Sequence, residues 1–200
     1  MFLDIQLDHT IVALASGQGG AIANIRISGK KTFDVIGHFF SNKKIQFTQG
    51  NEIFFGKIID NKGALIDECL VSSFKSPKSY TGEDSVEIHC HASPYIIAQI
   101  IQLCLANGCV HAQPGEFTMR AFLNGKMDLA QAESVADIIA SDNKAAHAIA
   151  MNQLKGGFSQ DIVQLREGIM RLAALLELEL DFGEEDVEFA NRQELSSLLK

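Results

Sequence analysis

The chain has 200 residues, a formal net charge of −8 and an isoelectric point near 5.2. With 46% apolar and 21% charged residues, it has the make-up of a globular protein that can bury a core in one or two domains. The acidic balance makes the surface a poor candidate for wrapping a phosphate backbone, a local basic patch aside, and argues against a membrane-surface role.

The start, MFLDIQLDH, is acidic and too poor in apolar residues for a signal peptide. Next, TIVALA (10–15) is a short β-rich run, followed by the glycine loop SGQGG (16–20). AIANIRISG (21–29) alternates, with Ala23, Ile25 and Ile27 on one face and Asn24, Arg26 and Ser28 on the other, the pattern of a half-buried strand. TFDVIGHFF predicts a short helix. NEIFFGKIID and ALIDECLVSSFK predict a hairpin turned at Asn61-Lys62-Gly63. SVEIHCH is a further alternating strand, and PYIIAQIIQLCLANG has helical spacing with Gly108 as its stop. That last segment is broken by Gln99 and Gln102 and falls short of a membrane span.

From about Gly115 no strand signal returns. Asp128 and Gln131 form a capping-box pattern before LAQAESVADIIA, whose apolar positions Leu129, Ala132, Ala136 and Ile139 fit one face. Phe158, Ile162, Leu165, Ile169, Leu172 and Leu176 recur in steps of 4, 3, 4, 3 and 4, a seam suited to packing against other helices. After the acidic turn DFGEEDVEF, Asn191 and Glu194 open another helix that stops unfinished at Lys200. The expected fold is α+β: a mixed α/β domain over 1–124, then an all-α domain over 125–200 that is incomplete at its C-terminus.

Four cysteines, Cys69, Cys90, Cys104 and Cys109, form no CxxC pair and no disulfide framework. Reduced, mostly buried thiols are expected, in a reducing cytoplasm. The loop SGQGGAIA fails the dinucleotide fingerprint, since Ile22 stands where Gly or Ala is needed and a strand follows in place of a helix. DFG at 181–183 lacks every accompanying kinase motif. The seven acidic residues from Glu177 to Glu188 lack calcium-loop spacing.

Glu87, His89 and His91 are types a zinc or iron site uses. On a strand, however, alternate residues stand roughly 6.5–7 Å apart along a line. A metal with bonds of about 2.0–2.2 Å would draw its third ligand from a neighbouring element. A polar face turned to ligand or solvent is the expectation, with no metal.

The stretches TIVALASGQGGAIANIRISG, YTGEDSVEIHCH, QPGEFTMRAFLNGKMDLAQAESVADII and LELELDFGEEDVEF together resemble the N-terminal part of the bacterial tRNA-modification GTPases of the MnmE/TrmE family. The resemblance runs through nearly the whole chain. It implies a tetrahydrofolate-binding, homodimer-forming first domain over 1–124, related in fold to the glycine-cleavage aminomethyltransferase. It implies the first part of a helical domain over 125–200. A GTPase domain using GTP, potassium and magnesium would follow, since no P-loop occurs here. With the flavoprotein MnmG (GidA), in a heterotetramer that takes up tRNA, the family builds a (carboxymethyl)aminomethyl-type group on C5 of the wobble uridine. Its one-carbon donor is a folate such as 5,10-methylene-tetrahydrofolate, with 5-formyl-tetrahydrofolate as the alternative form. No membrane is involved.

The resemblance maps three folate contacts onto Arg26 in NIRISG, Glu87 in GEDSVE and Lys126 in FLNGK. A carboxylate such as Glu87 can accept the adjacent N3–H and 2-amino group of a pterin together. Arg26 and Lys126 would hold the folate carboxylates or a polar ring edge. Members of the family often carry Gly-Gly after the position of His91; this chain has Ala92-Ser93, implying a different seating of that loop if bare backbone is needed there. The family's reactive cysteine belongs to a C-terminal tail, so none of the four cysteines inherits its role. The rival readings are a scaffold module with a vestigial folate pocket and a Glu87/His89/His91 metal enzyme.

Overall fold

A computed structural model describes residues 8–17 and 19–181. It divides into two compact units, residues 1–127 and 128–200.

The first unit is built on a six-stranded mixed sheet in the order β3-β4-β5-β2-β1-β6. The strands are β1 (Ile11–Leu14), β2 (Ile22–Ser28), β3 (Glu52–Ile59), β4 (Leu65–Phe74), β5 (Ser85–His91) and β6 (Val110–His111). Every pairing is antiparallel except β1 with β6. Helices α1 (Thr32–Phe39) and α2 (Pro94–Ala106) cover one face of the sheet. Alternation in β2 and β5 sends Ala23, Ile25, Ile27, Val86, Ile88 and Cys90 into that layer against Val35, Ile36, Ile100 and Cys104. Burying one such aliphatic side chain contributes about 1.5–3 kcal/mol. The glycine loop joins antiparallel β1 and β2 and no helix follows it. The hairpin turn forms as expected, with Asp60 Oδ1 accepting from Lys62 N and Ala64 N at 2.8 and 2.7 Å.

Two elements differ from the sequence reading. Strand β6 is held by Val110 N donating to Thr10 O (2.9 Å) and Ala112 N to Val12 O (3.0 Å). Helix α3 (Glu116–Leu123) falls in the first unit, in a stretch where the sequence pattern predicts no element. Its buried residues are Glu116, Arg120 and Ala121, so charge rather than apolar period marks its inner side.

In the second unit, α4 (Leu129–Ala140) and α5 (Lys144–Leu154) precede the 25-residue α6 (Gly157–Asp181). The capping box is present: Gln131 N donates to Asp128 Oδ1 at 2.8 Å and Asp128 N to Gln131 Oε1 at 2.9 Å. The inward face of α4 is not the expected one. Ser134 is buried and Gln131, Val135 and Ile138 are half-buried, whereas Leu129 and Ile139 are exposed. Gln131 explains the rotation, because its Nε2 also donates to Leu154 O at 2.8 Å and ties that face to α5. The seam on α6 is largely exposed at Ile162, Leu165, Ile169 and Leu176. Helices of 12 and 11 residues are about 18 and 16 Å long against about 37 Å for α6, too short to cover it. The residues beyond Asp181, including most of the acidic turn and the helix expected from Asn191, lie outside the described residues.

Among the described residues no helix is long and apolar enough to cross a membrane, and all four cysteines are buried free thiols.

Candidate ligand-binding site

The sheet face away from α1 and α2 carries the polar alternates of β2 and β5. Arg26 and Glu87 stand opposite one another in register and form an ion pair. Arg26 Nη2 approaches Glu87 Oε1 at 2.7 Å and Nε donates to the same oxygen at 2.9 Å. The second carboxylate oxygen accepts from Asn24 Nδ2 at 2.8 Å. Their side chains keep 23% and 18% exposure, so the pair is desolvated but reachable. Asn24 is held in place by its backbone, since Ala15 N donates to Asn24 O and Asn24 N to Ser16 Oγ. Asn24 Oδ1 is shut off from solvent with no partner among the described residues.

Two aromatic rings flank the Arg26 guanidinium, Tyr80 at 5.1 Å and Phe117 at 5.4 Å from ring centroid. Cation–π attraction at such distances is worth roughly 0.5–2 kcal/mol, more as water is excluded. Tyr80 belongs to the loop between β4 and β5, and Phe117 to α3; Tyr80 Oη and Thr118 Oγ1 join the two at 2.9 Å.

A buried charge network fixes this wall. Arg120, 1% exposed, reaches Glu83 of the loop at 3.2 Å and Glu116 at 2.9 Å. Ser28, next after Arg26 on the same face, donates to Glu83 Oε2 at 2.8 Å and meets Thr81 Oγ1 at 2.7 Å. A buried guanidinium left unpaired would cost several kcal/mol, so loop and helix keep their place against the strand end.

Lys126 is not drawn into the Arg26–Glu87 pair. It is exposed, and its Nζ donates to Pro77 O at 3.0 Å. Its stem packs over Gly82, where φ is +79° and an added Cβ would lie 3.3 Å from Lys126 Cγ. The left-handed backbone favours glycine there, and a Cβ would press on Asn124 Cβ at 3.2 Å as well as on the lysine stem. One loop therefore carries Tyr80 over Arg26 and also supplies the anchor of Lys126.

His89 and His91 share the face of Glu87, as alternation requires, but each is engaged separately. His89 Nε2 lies 2.9 Å from Ser72 Oγ, and His91 Nδ1 lies 2.8 Å from Asp67 Oδ1. No group of three His, Cys, Asp or Glu side chains among the described residues is placed to hold a metal ion. The Ala92-Ser93 departure is accommodated: Ser93 has φ −75° and ψ 129°, ordinary extended backbone that needs no glycine.

The row Ile53–Ser72–Glu87–Arg26 runs across four strands, beside the row Phe55–Leu70–His89–Asn24. Ile53 is 70%, Phe55 64% and Leu70 46% exposed. An apolar patch thus begins at Leu70, one strand across and two residues along from Glu87, roughly 7–8 Å away.

Sequence reasoning missed Asn24, Tyr80, Phe117 and Arg120. Tyr80 and Phe117 lie inside YTGED and PGEF, but their approach to Arg26 joins segments far apart in the chain.

The architecture is that of a mixed-sheet unit with an open polar face, followed by a helical unit. Residues 10–126 match the family model for the GTP-binding protein TrmE N-terminus and residues 129–200 that for the MnmE helical domain. The chain belongs to the MnmE/TrmE family. It is 53% identical over 191 residues to the tRNA modification GTPase MnmE of Cytophaga hutchinsonii, covering 95% of this chain and 41% of that protein. It is 56% identical over 194 residues to that of Flavobacterium johnsoniae (95% and 41%) and 52% identical over 193 residues to that of Bacteroides fragilis (94% and 41%). The chain spans about two fifths of the length of these relatives.

Proposed function

We propose that this chain is the tetrahydrofolate-binding and dimerising part of a cytoplasmic tRNA-modification GTPase. In the whole protein, a GTPase domain using GTP, potassium and magnesium would act with the flavoprotein MnmG and tRNA in the modification of C5 of the wobble uridine. The observation that carries the ligand assignment is the Arg26–Glu87–Asn24 cluster beneath Tyr80 and Phe117. Its donor set suits a reduced folate. Glu87 has three bonds to its own neighbours, and a carboxylate offers about four lone-pair directions, so it retains capacity for a pterin N–H while Arg26 holds its orientation. Lys126, which follows α3 and is anchored on Pro77 of the Tyr80 loop, can meet a folate carboxylate. When bound, the folate supplies the one-carbon unit; the residues of this chain hold and orient it.

Dimerisation is supported by Ile53, Phe55 and Leu70. Three large apolar side chains exposed side by side on one sheet face mark an interaction surface, and a second copy seated on them would border the Arg26–Glu87 pair. If the second subunit completes the pocket, ligand tightens the dimer by RT ln(1 + [L]/Kd) per site, about 2.7 kcal/mol at a hundredfold excess over Kd. Sedimentation at low protein concentration, with and without 5-formyl-tetrahydrofolate, tests both halves of the reading. Ligand-linked tightening is expected; a monomer that binds folate fully with an unchanged association constant would contradict it.

A further inference from the structure

A cleft of about 280 Å³ lies at the start of the β4–β5 loop, lined among others by Gln49, Asn51, Lys75, Pro77 and Lys78. Pro77 is shared: its carbonyl accepts from Lys126 Nζ at 3.0 Å, so the cleft begins where the third candidate folate contact ends. We propose that this cleft receives the polyanionic γ-glutamyl tail of a polyglutamylated folate, an inference that rests on the folate reading above.

The charges lining the cleft are unequal. The Lys75 ammonium is committed, 2.8 Å from Asp84 Oδ2 and 4.7 Å from the centre of the Phe33 ring. Asn51 is committed as well, donating from Nδ2 to Lys78 O and accepting from Lys75 N. The side-chain ends of Lys78 and Gln49 have no hydrogen-bond or ion-pair partner among the described residues. Lys78 lines the cleft and Lys126 is bonded to its Pro77 carbonyl, so two exposed cations border it in a chain whose net charge is −8. A neutral ligand would gain nothing from them. A γ-glutamyl tail adds one carboxylate per unit along a flexible chain, so successive carboxylates can reach successive ammonium groups. A nucleic-acid backbone is the poorer fit, because it is held by a run of many Lys and Arg, and here Asp84 stands beside Lys75.

The test is isothermal titration of the chain with 5-formyl-tetrahydrofolate as the monoglutamate and as the triglutamate, at low and physiological salt, repeated with Lys78→Glu. Exposed ion pairs contribute about 0.2–1 kcal/mol each. The extra carboxylates gain the uncommitted ammonium of Lys78, so the triglutamate should bind up to about fivefold tighter, an advantage that shrinks with salt. Lys78→Glu should abolish that advantage and leave the monoglutamate affinity unchanged. Equal affinities for the two ligands, or an advantage that survives in Lys78→Glu, would overturn this inference alone. So would a Lys78→Glu chain that loses affinity for tRNA while keeping the triglutamate advantage. Failure of both folates to bind would overturn the folate reading and this inference together.

Discussion

Glu87→Gln disturbs the candidate site at its centre, and its cost can be worked from the bonds in place. The carboxylate accepts Arg26 Nε at 2.9 Å, Arg26 Nη2 at 2.7 Å and Asn24 Nδ2 at 2.8 Å. Glutamine keeps one oxygen and turns the other position into an amide donor. That donor either faces the guanidinium, donor against donor, or faces Asn24, whose unpartnered Oδ1 can turn to accept it at the loss of the charge. A hydrogen bond to a charged group is worth about 1.5–3 kcal/mol. Residual exposure of 23% and 18% screens part of this. The expected destabilisation is roughly 1–3 kcal/mol, or about 3–10 °C in the melting temperature of a unit of this size. The same change removes the charged acceptor proposed for the pterin and should weaken 5-formyl-tetrahydrofolate about tenfold or more. Circular-dichroism melts and titration calorimetry read the two effects separately. If the pair acts as a unit, Arg26→Gln combined with Glu87→Gln costs less than the two single changes summed. A Glu87→Gln chain with unchanged melting and unchanged affinity would refute the reasoning.

Phe55→Lys puts a charge on the apolar patch. Burying an aromatic of this kind contributes about 1.5–3 kcal/mol per copy, and two-fold symmetry doubles the loss, so sedimentation should give a dimer weakened more than about a hundredfold; an unaltered dimer would place the interface elsewhere. Cysteine reactivity should be graded. Burial pushes Cys69 up to about 12 and Cys90 up to about 11, whereas the hydrogen bond from the Cys104 thiol lowers Cys109. At pH 8 iodoacetamide should therefore label Cys109 first in the native protein, and equal labelling of Cys69 by mass spectrometry would contradict this. Asp128→Ala removes the cap of α4 at a cost of about 1 kcal/mol, read by denaturant unfolding of the helical signal. Hydrogen bonds from Ser159 and from Gln131 N hold the Asp128 carboxyl below its ordinary 3.8. The stabilisation is thus full at pH 7 and fades only as the pH falls below 3.8 through the lowered value; a variant as stable as the parent at pH 7 would remove the cap from the account.

Strict alternation made β2 and β5 legible, because one face of each is aliphatic and the other polar, and it placed Arg26 and Glu87 together on the open side. The capping pair Asp128 and Gln131 was legible for the same local reason. Helix α3 was not, since its inner side is Glu116, Arg120 and Ala121, a charge network that periodicity of apolar residues cannot reveal. Strand β6 is two residues long and exists through the carbonyls of Thr10 and Val12. The α4 face was misjudged because Gln131, a polar residue, fixes its rotation by bonding to Leu154. Lys126 was placed with Arg26 and Glu87 by resemblance; the structure seats it on Pro77, at the other end of the Tyr80 loop.

Folate binding by residues of the open sheet face is tested most directly by titrating the chain with 5-formyl-tetrahydrofolate. A saturable isotherm with one site per protomer, absent or at least tenfold weaker in Glu87→Gln, is the predicted result. A chain folded by circular dichroism that gives no saturable binding at millimolar ligand would contradict it.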